Sequence, residues 1–280
     1  MANVLIINWL ASLGRTLLGL LDGFGQFTRF TAATVAWMFR RPRGVGRIRL
    51  LLPQLYYVGT RSLPVVMLVG GFVGAVLSVE AFDQFAALGQ EARLGGVINI
   101  SVVKQIGPVL AAVMIAGRVG GAVSAELGTM RVTEQLDALR VMGADPIAFL
   151  VVPRVLACLI MVPVLTIFSD LLGIFGGYIV TVQAYAVESE AYWRFSREFV
   201  TTYDVVTGLV KSVVFGLAIG LISCYKGFHC AAGAAGVGRA TTDSFVASFI
   251  AIIIANFFLA MLLNDLGTLF FGQQETLWGG

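Results

Sequence analysis

The sequence predicts an all-α integral membrane protein: an N-terminal interfacial helix, then about five transmembrane helices, with a short charged helix between the second and third. Three observations predict it. Hydrophobic residues make up 58% of the chain and charged residues 12%, with a mean hydropathy of +0.88, far from the balance of a soluble domain. Several windows approach the roughly 20 apolar residues that a spanning helix needs, and none shows the alternation of a membrane barrel. The 33 glycines fall mostly inside those windows, where small residues let helices approach closely.

Residues 1–49 form a first unit. Arg15, Asp22 and Arg29 recur every seven residues and share one helical stripe, with Leu10, Leu13, Leu17, Leu20, Phe24 and Phe27 roughly opposite. One charged stripe against an aromatic-rich apolar face describes a helix lying in the membrane interface, and the segment makes a poor secretory signal. A basic loop with Arg40, Arg41, Arg43, Arg47 and Arg49 follows, and Arg61 precedes the first clean span.

Residues 50–280 carry the spans, at about 62–82, 94–125, 153–182, 205–226 and 244–266. The second is too long for a hydrocarbon core of about 30 Å, so it must tilt, protrude or break. Gly107-Pro108 in its middle offers a mechanism for a break, because proline removes a backbone donor and clashes with the preceding turn. The third contains Pro163 and one charge, Asp170; the fourth contains Lys211; the fifth is uncharged.

Lys and Arg in the connections set the orientation. With the N-terminus in the cytoplasm, that side receives the arginines from Arg15 to Arg61 and then Arg131, Arg140, Arg154, Lys226 and Arg239. The outer side receives Arg93, Arg194 and Arg197 beside Glu188, Glu190 and Glu198. The C-terminus is then outside, and both the charged segment after the second span and the 226–243 connection are cytoplasmic.

That charged segment reads as a helix over about 132–143. Thr133 can cap it, Glu134 and Asp137 occupy its first turn, Arg140 sits toward its end, Gly143 offers a C-terminal cap and Pro146 stops it. Val132, Leu136 and Leu139 share one face. A helix this short needs something to hold it: either the ends of its own spans or a groove on a cytoplasmic partner.

Enzymatic chemistry is missing. There is no G-x-x-x-x-G-K-[ST] loop to cradle ATP phosphates. His229 is the single histidine, which excludes multi-histidine metal sites, and Cys158, Cys224 and Cys230 lack metal spacing and read as small apolar fillers. The basic residues follow the inner-loop rule and make no case for nucleic acid.

The run GPVLAAVMIAGRVGGAVSAELGTMRVTEQLDALRVMGADP resembles the MlaE family of ABC-transporter permeases, in which Gly-Pro, A-G-R-x-G, A-E-[LI]-G-x-M and E-Q-[LI]-x-A-[LM] follow in this order. Gly236-Val-Gly-Arg-Ala-Thr-Thr242 resembles the family's G-[VI]-x-R-A-T-T element, and similarity runs from about Leu52 to Leu263. The resemblance implies an MlaE-like permease domain over 50–280, forming a homodimer that moves phospholipid between the inner membrane and a periplasmic MCE-domain protein. Energy would come from a cytoplasmic ABC ATPase, which would hold the ATP and Mg while this chain binds no cofactor, and a STAS-domain protein is a further implied partner.

By residue, the resemblance places Glu134, Gln135 and Leu136, with Asp137, Leu139 and Arg140 beside them, in a helix coupled to the ATPase, with Glu126 near its start. Gly107, Pro108 and Arg118 carry the family pattern in the second span, and Gly236, Arg239, Thr241 and Thr242 lead into the fifth. Lipid would pass apolar residues of the first span such as Phe72, Val76 and Phe82, with Lys104 and Gln105 further candidates on the path. The chain departs from the pattern at Lys104-Gln105, where many members have Arg-Glu, at Glu80, where Gln is common, and at Ala234-Ala235, which replace a small-plus-acidic pair.

The intramembrane charges each cost about 2.5 to 3.5 kcal/mol at a helix centre on insertion scales. Lys104 can meet a lipid phosphate or snorkel to the outer interface. Asp170 can bond a neighbouring helix, face a water-filled cavity or relay protons; Lys211 belongs near the outer surface; Asn256 serves as interhelical glue. Arg118 reaches Glu126 only loosely, eight residues away. An ion- or proton-coupled carrier built on Lys104 and Asp170 is the alternative function, and a scaffold without transport a third.

Overall fold

The computed structural model describes residues 2–39 and 46–271. Among them the secondary structure is helical throughout, and five helical stretches are long and apolar enough to cross a membrane: Ile48–Ala87, Glu91–Val132, Ile147–Ala184, Thr202–Phe228 and Ala234–Leu269. The basic loop at Arg40, Arg41 and Arg43 lies outside the described residues, as do the side chains of Arg47, Arg15, Leu10, Leu13, Leu17 and Leu20.

Helix α1 (Ala2–Phe39) approaches the bundle through its second half, where Phe30 is buried against Tyr225, Phe228 and His229. Trp37 Nε1 donates to Asp145 Oδ2 at 2.9 Å, tying the helix to the connection before the third span. The first span begins earlier than its charge-free window: α2 (Gly46–Leu55) runs through a π-helical turn at Tyr56–Thr60 into α3 (Leu63–Ala87).

The second span is α4 (Leu94–Ser101), α5 (Gly107–Ile115) and α6 (Gly121–Val132), joined by π-helical turns at Val102–Ile106 and Ala116–Gly120. Of the three alternatives for this span, the break at Gly107-Pro108 does not occur. Proline sits in the first turn of α5, and the wider turn before it closes with Gly107 N–H donating to the Val102 carbonyl, which relieves the ring's clash with the preceding turn. The stretch stays helical for 42 residues, about 60 Å at about 1.5 Å per residue, so it outruns the hydrocarbon core by length instead of by breaking.

At one end of the bundle, α7 (Gln135–Val141) leads to the third span, α8 (Val152–Tyr178), which continues through Pro163 and is flanked by π-helical turns. At the other end, the segment that reads as outer-side loop charge is a helix, α9 (Ser189–Phe199), packed on α4. Its anchor is Tyr192, fully buried under Gly95, where a Cβ would fall 2.5 Å from the ring. Tyr192 Oη donates to Asn99 Oδ1 at 2.9 Å, and Asn99 Nδ2 donates to Ser196 Oγ at 2.7 Å, so each polar atom carried inside has a partner.

Helices α10 (Thr202–Phe228) and α11 (Ala234–Phe271) complete the bundle. The connection between them is only His229–Gly233, shorter than the expected 226–243 loop, because Lys226 lies in the last turn of α10 and Asp243 lies inside α11. Helix α8 is the central strut, contacted by α3 on one flank and α10 on another. A Cβ on Gly74 would lie 1.9 Å from the Gly173 carbonyl oxygen, and one on Gly216 would lie 2.6 Å from that of Cys158. These backbones touch, as expected where lipid removes the hydrophobic drive between helices and packing must replace it.

Candidate functional site

Two polar regions sit near opposite ends of the bundle. The first gathers where α10 begins beside the second span. Thr201 caps α10 reciprocally: its hydroxyl accepts from Asp204 N–H, and Asp204 Oδ2 accepts from Thr201 N–H at 3.1 Å. The capping carboxylate then has Oδ1 free to face the second span, where Lys104 Nζ meets it at 3.1 Å. Two turns along α10, Lys211 is 1% exposed; its ammonium donates to the Lys104 carbonyl at 3.1 Å and to Gln105 Oε1. A cavity of about 380 Å³ opens beside them, walled also by Ile100, Ser101, Ala260 and Asn264.

Lys104 therefore neither snorkels alone nor stands free: a carboxylate of the fourth span holds it. Lys211 is buried against the second span. Sequence reasoning missed Asp204 altogether, although the Thr201-x-x-Asp204 capping pattern is visible in the sequence. Asp170 meets the second span one turn beyond Lys104, with Oδ1 packed where a Cβ of Gly107 would be, 1.7 Å away, and among the described residues that oxygen has no hydrogen-bond partner. Asn256 Oδ1 likewise has no hydrogen-bond partner among the described residues.

The second region surrounds α7. Thr133 is not its cap: the Thr133 hydroxyl turns back to the Thr129 carbonyl at 2.8 Å and the residue terminates α6. The helix starts at Gln135 instead, because Glu134 adopts a left-handed conformation (φ 61°) that turns the chain sharply out of α6, so Glu134 stands before the first turn and not in it. Gly143 (φ 77°) makes the second corner. Between the corners only Leu136 is buried; Leu139 is half-buried, and Gln135, Asp137 and Arg140 are exposed, the last two forming an ion pair at 2.8 Å.

Glu126, one helical stretch earlier, pairs with Arg154 Nη2 at 3.1 Å, joining the end of the second span to the start of the third behind α7. Arg118, exposed within a π-helical turn, takes no part in that pair. Arg154 reads in the sequence only as one more inner-side charge, since nothing local announces a partner 28 residues away.

Gly236 to Thr242 occupy the opening turns of α11 and lie against α6. A Cβ on Gly236 would fall 2.0 Å from the Ala231 carbonyl, so the tight connection requires glycine there. Ser124 Oγ donates to the Ala240 carbonyl at 3.1 Å, and Val237 packs on Gly128. Arg239 faces outward, and Thr241 and Thr242 both turn their hydroxyls back to the Gly238 carbonyl. Two sequence patterns more than 100 residues apart thus form one packed unit beside α7.

Phe72 and Val76 lie exposed on the outer face of α3, 67% and 56% accessible, whereas Phe82 stacks on Tyr185 with centroids 3.8 Å apart near the α9 end. None of the three walls the Lys104 cavity.

The chain matches the family described as Permease MlaE over residues 51–262. It is 40% identical over 258 residues to a probable ABC transporter permease protein of Rickettsia felis, covering 92% of this chain and 98% of that one. It is 44% identical over 220 residues to a probable ABC transporter permease protein of Synechocystis, covering 78% and 84%. Against the intermembrane phospholipid transport system permease protein MlaE of Haemophilus influenzae it is 31% identical over 266 residues, covering 94% and 100%. Five membrane-crossing helices, the short helix between the second and third, and these similarities together establish that the chain is a multi-pass membrane protein of the MlaE permease family.

Proposed function

We propose that this chain is the permease subunit of an ATP-driven intermembrane phospholipid transport system. It works as a homodimer in a bacterial inner membrane, with a cytoplasmic ABC ATPase bound at α7 and a periplasmic MCE-domain protein at the other face. A STAS-domain protein is a further cytoplasmic partner. ATP and Mg belong to the ATPase. The phospholipid assignment draws on the Haemophilus relative, and the placement of the α7 end in the cytoplasm on the basic residues Arg131, Arg140, Arg154, Lys226 and Arg239 gathered there.

The observation that carries the docking role is the presentation of α7. A helix of seven residues has little stability alone, yet this one is set between two fixed corners with a single buried anchor, Leu136. Its far end offers apolar surface, Val141 at 89% and Met142 at 72% exposure, beside the Asp137–Arg140 pair. Such surface suits a groove on a partner. The Glu126–Arg154 pair then links whatever moves α7 to both adjoining spans.

The experiment is co-purification and transport with the ATPase co-expressed. Val141→Asp and Glu134→Lys should fold normally, lose most bound ATPase and lose lipid transfer between proteoliposomes. A full complement of ATPase on both variants would refute docking through α7.

A further inference from the structure

We infer that the cavity beside Lys104 and Lys211 is a headgroup subsite that selects lipids of net negative charge, with Gln105 the residue that makes it selective. The inference rests on the lipid-transport reading above and goes beyond it by naming the substrate class.

Charge counting carries the argument. Lys104 and Lys211 bring two positive charges to one cavity, and Asp204 brings one negative charge. Both oxygens of Asp204 are engaged: Oδ1 by Lys104, Oδ2 by the Thr201 N–H at 3.1 Å and its hydroxyl at 2.6 Å. Lys211, 1% exposed, donates only to neutral acceptors, the Lys104 carbonyl and Gln105 Oε1. No carboxylate lies within salt-bridge distance of it among the described residues. A buried ammonium with only neutral partners is an unmet demand for an anion.

The cavity that meets Lys211 has about 380 Å³ of room, with apolar walls at Ile100 and Ala260 and neutral polar groups at Ser101 and Asn264. A phosphodiester entering the cavity meets both lysines on its wall while its glycerol lies against the apolar side. Among the described residues the cavity wall carries two lysines and no carboxylate, so a headgroup amine finds no partner on it and a zwitterionic headgroup gains less than an anionic one. A carboxylate at position 105 would pair with Lys211 and cancel the excess charge; the glutamine leaves it available.

The test uses the purified full chain in neutral maltoside micelles, titrated with dihexanoyl phosphatidylglycerol, dihexanoyl phosphatidylcholine, glycerol 1-phosphate and inorganic phosphate. Phosphatidylglycerol should bind about tenfold or more tighter than phosphatidylcholine. Gln105→Glu, which keeps Lys211 partnered and the fold intact, should bring the two lipids within about twofold, and Lys211→Gln should do the same. Equal binding of both lipids by the unaltered chain, or an unchanged preference in Gln105→Glu, overturns the selectivity while leaving the lipid reading standing. Glycerol 1-phosphate or inorganic phosphate binding as tightly as phosphatidylglycerol would mean a free-anion site and also overturns it. Binding of neither lipid overturns the inference and the lipid reading together.

Discussion

The Lys211 ammonium lies 3.1 Å from the carbonyl oxygen of Lys104, the residue four before Pro108. In an uninterrupted α-helix the N–H of residue 108 would serve that carbonyl, and proline has none to give. The proline that offered a mechanism for a break thus provides an acceptor for a charge from the fourth span. Lys104 uses both its ends: its carbonyl holds Lys211 and its ammonium holds Asp204.

The Lys104–Asp204 pair should behave as a coupled unit. Asp204→Asn is expected to lower stability by about 2–3 kcal/mol, toward the low side of values for breaking a buried pair because the Lys104 side chain keeps 31% exposure. Lys104→Met combined with Asp204→Asn should cost clearly less than the sum of the single changes, a comparison that thermal unfolding of the four proteins in detergent makes directly.

Close packing of α3 on α8 predicts a sharp positional contrast. Gly74→Ala places a methyl group 1.9 Å from the Gly173 oxygen and should cost about 1–3 kcal/mol through forced separation of the two helices. Gly121→Ala, where nothing lies within 4 Å, should be neutral or slightly stabilising. Equal melting temperatures for the two variants would contradict the packing described.

Glu134 separates the corner from the contact. Its left-handed conformation costs a non-glycine residue about 1–2 kcal/mol, so Glu134→Gly should keep or raise stability and Glu134→Val should lower it by about 1 kcal/mol or more. Thermal unfolding of both variants without the ATPase measures the corner alone.

Tyr192 supplies an alkaline signature. Burial pushes its phenol up to about 12, above the ordinary value of about 10. The raised value means the folded state holds the proton more tightly. The stabilisation is complete below about pH 10 and disappears as pH rises toward 12. Tyr192→Phe should flatten the slope of melting temperature against pH in that window; a slope unchanged by the substitution would place the effect elsewhere.

Much of the architecture was legible because membrane insertion is a local rule: about 20 apolar residues in a row make a span wherever the chain later packs. The five spans and the short helix after the second follow from hydropathy and from the charged segment ending at Pro146. The α7 corner was not legible, because Thr133 is a good cap in isolation and only the direction in which the chain must leave α6 makes Glu134 the turning residue. Helix α9 escaped for a related reason: its buried face is one tyrosine and a few small residues, and Tyr192 has nowhere to go until Gly95 and Asn99 come up against it.

By itself, the sequence determined what must lie in the membrane and which residue types it carries there, since solvation of apolar side chains and backbone groups acts residue by residue. Only the tertiary structure decided which charges meet. Asp204 and Lys104, Arg154 and Glu126, Lys211 and the Lys104 carbonyl are separated by 28 to 107 residues, and their pairing depends on which helix faces which. Where the fourth span meets the second, a Cβ on Gly208 would fall 2.3 Å from the Val103 carbonyl, so the balance of charge around the cavity depends on a helix contact that no single span contains.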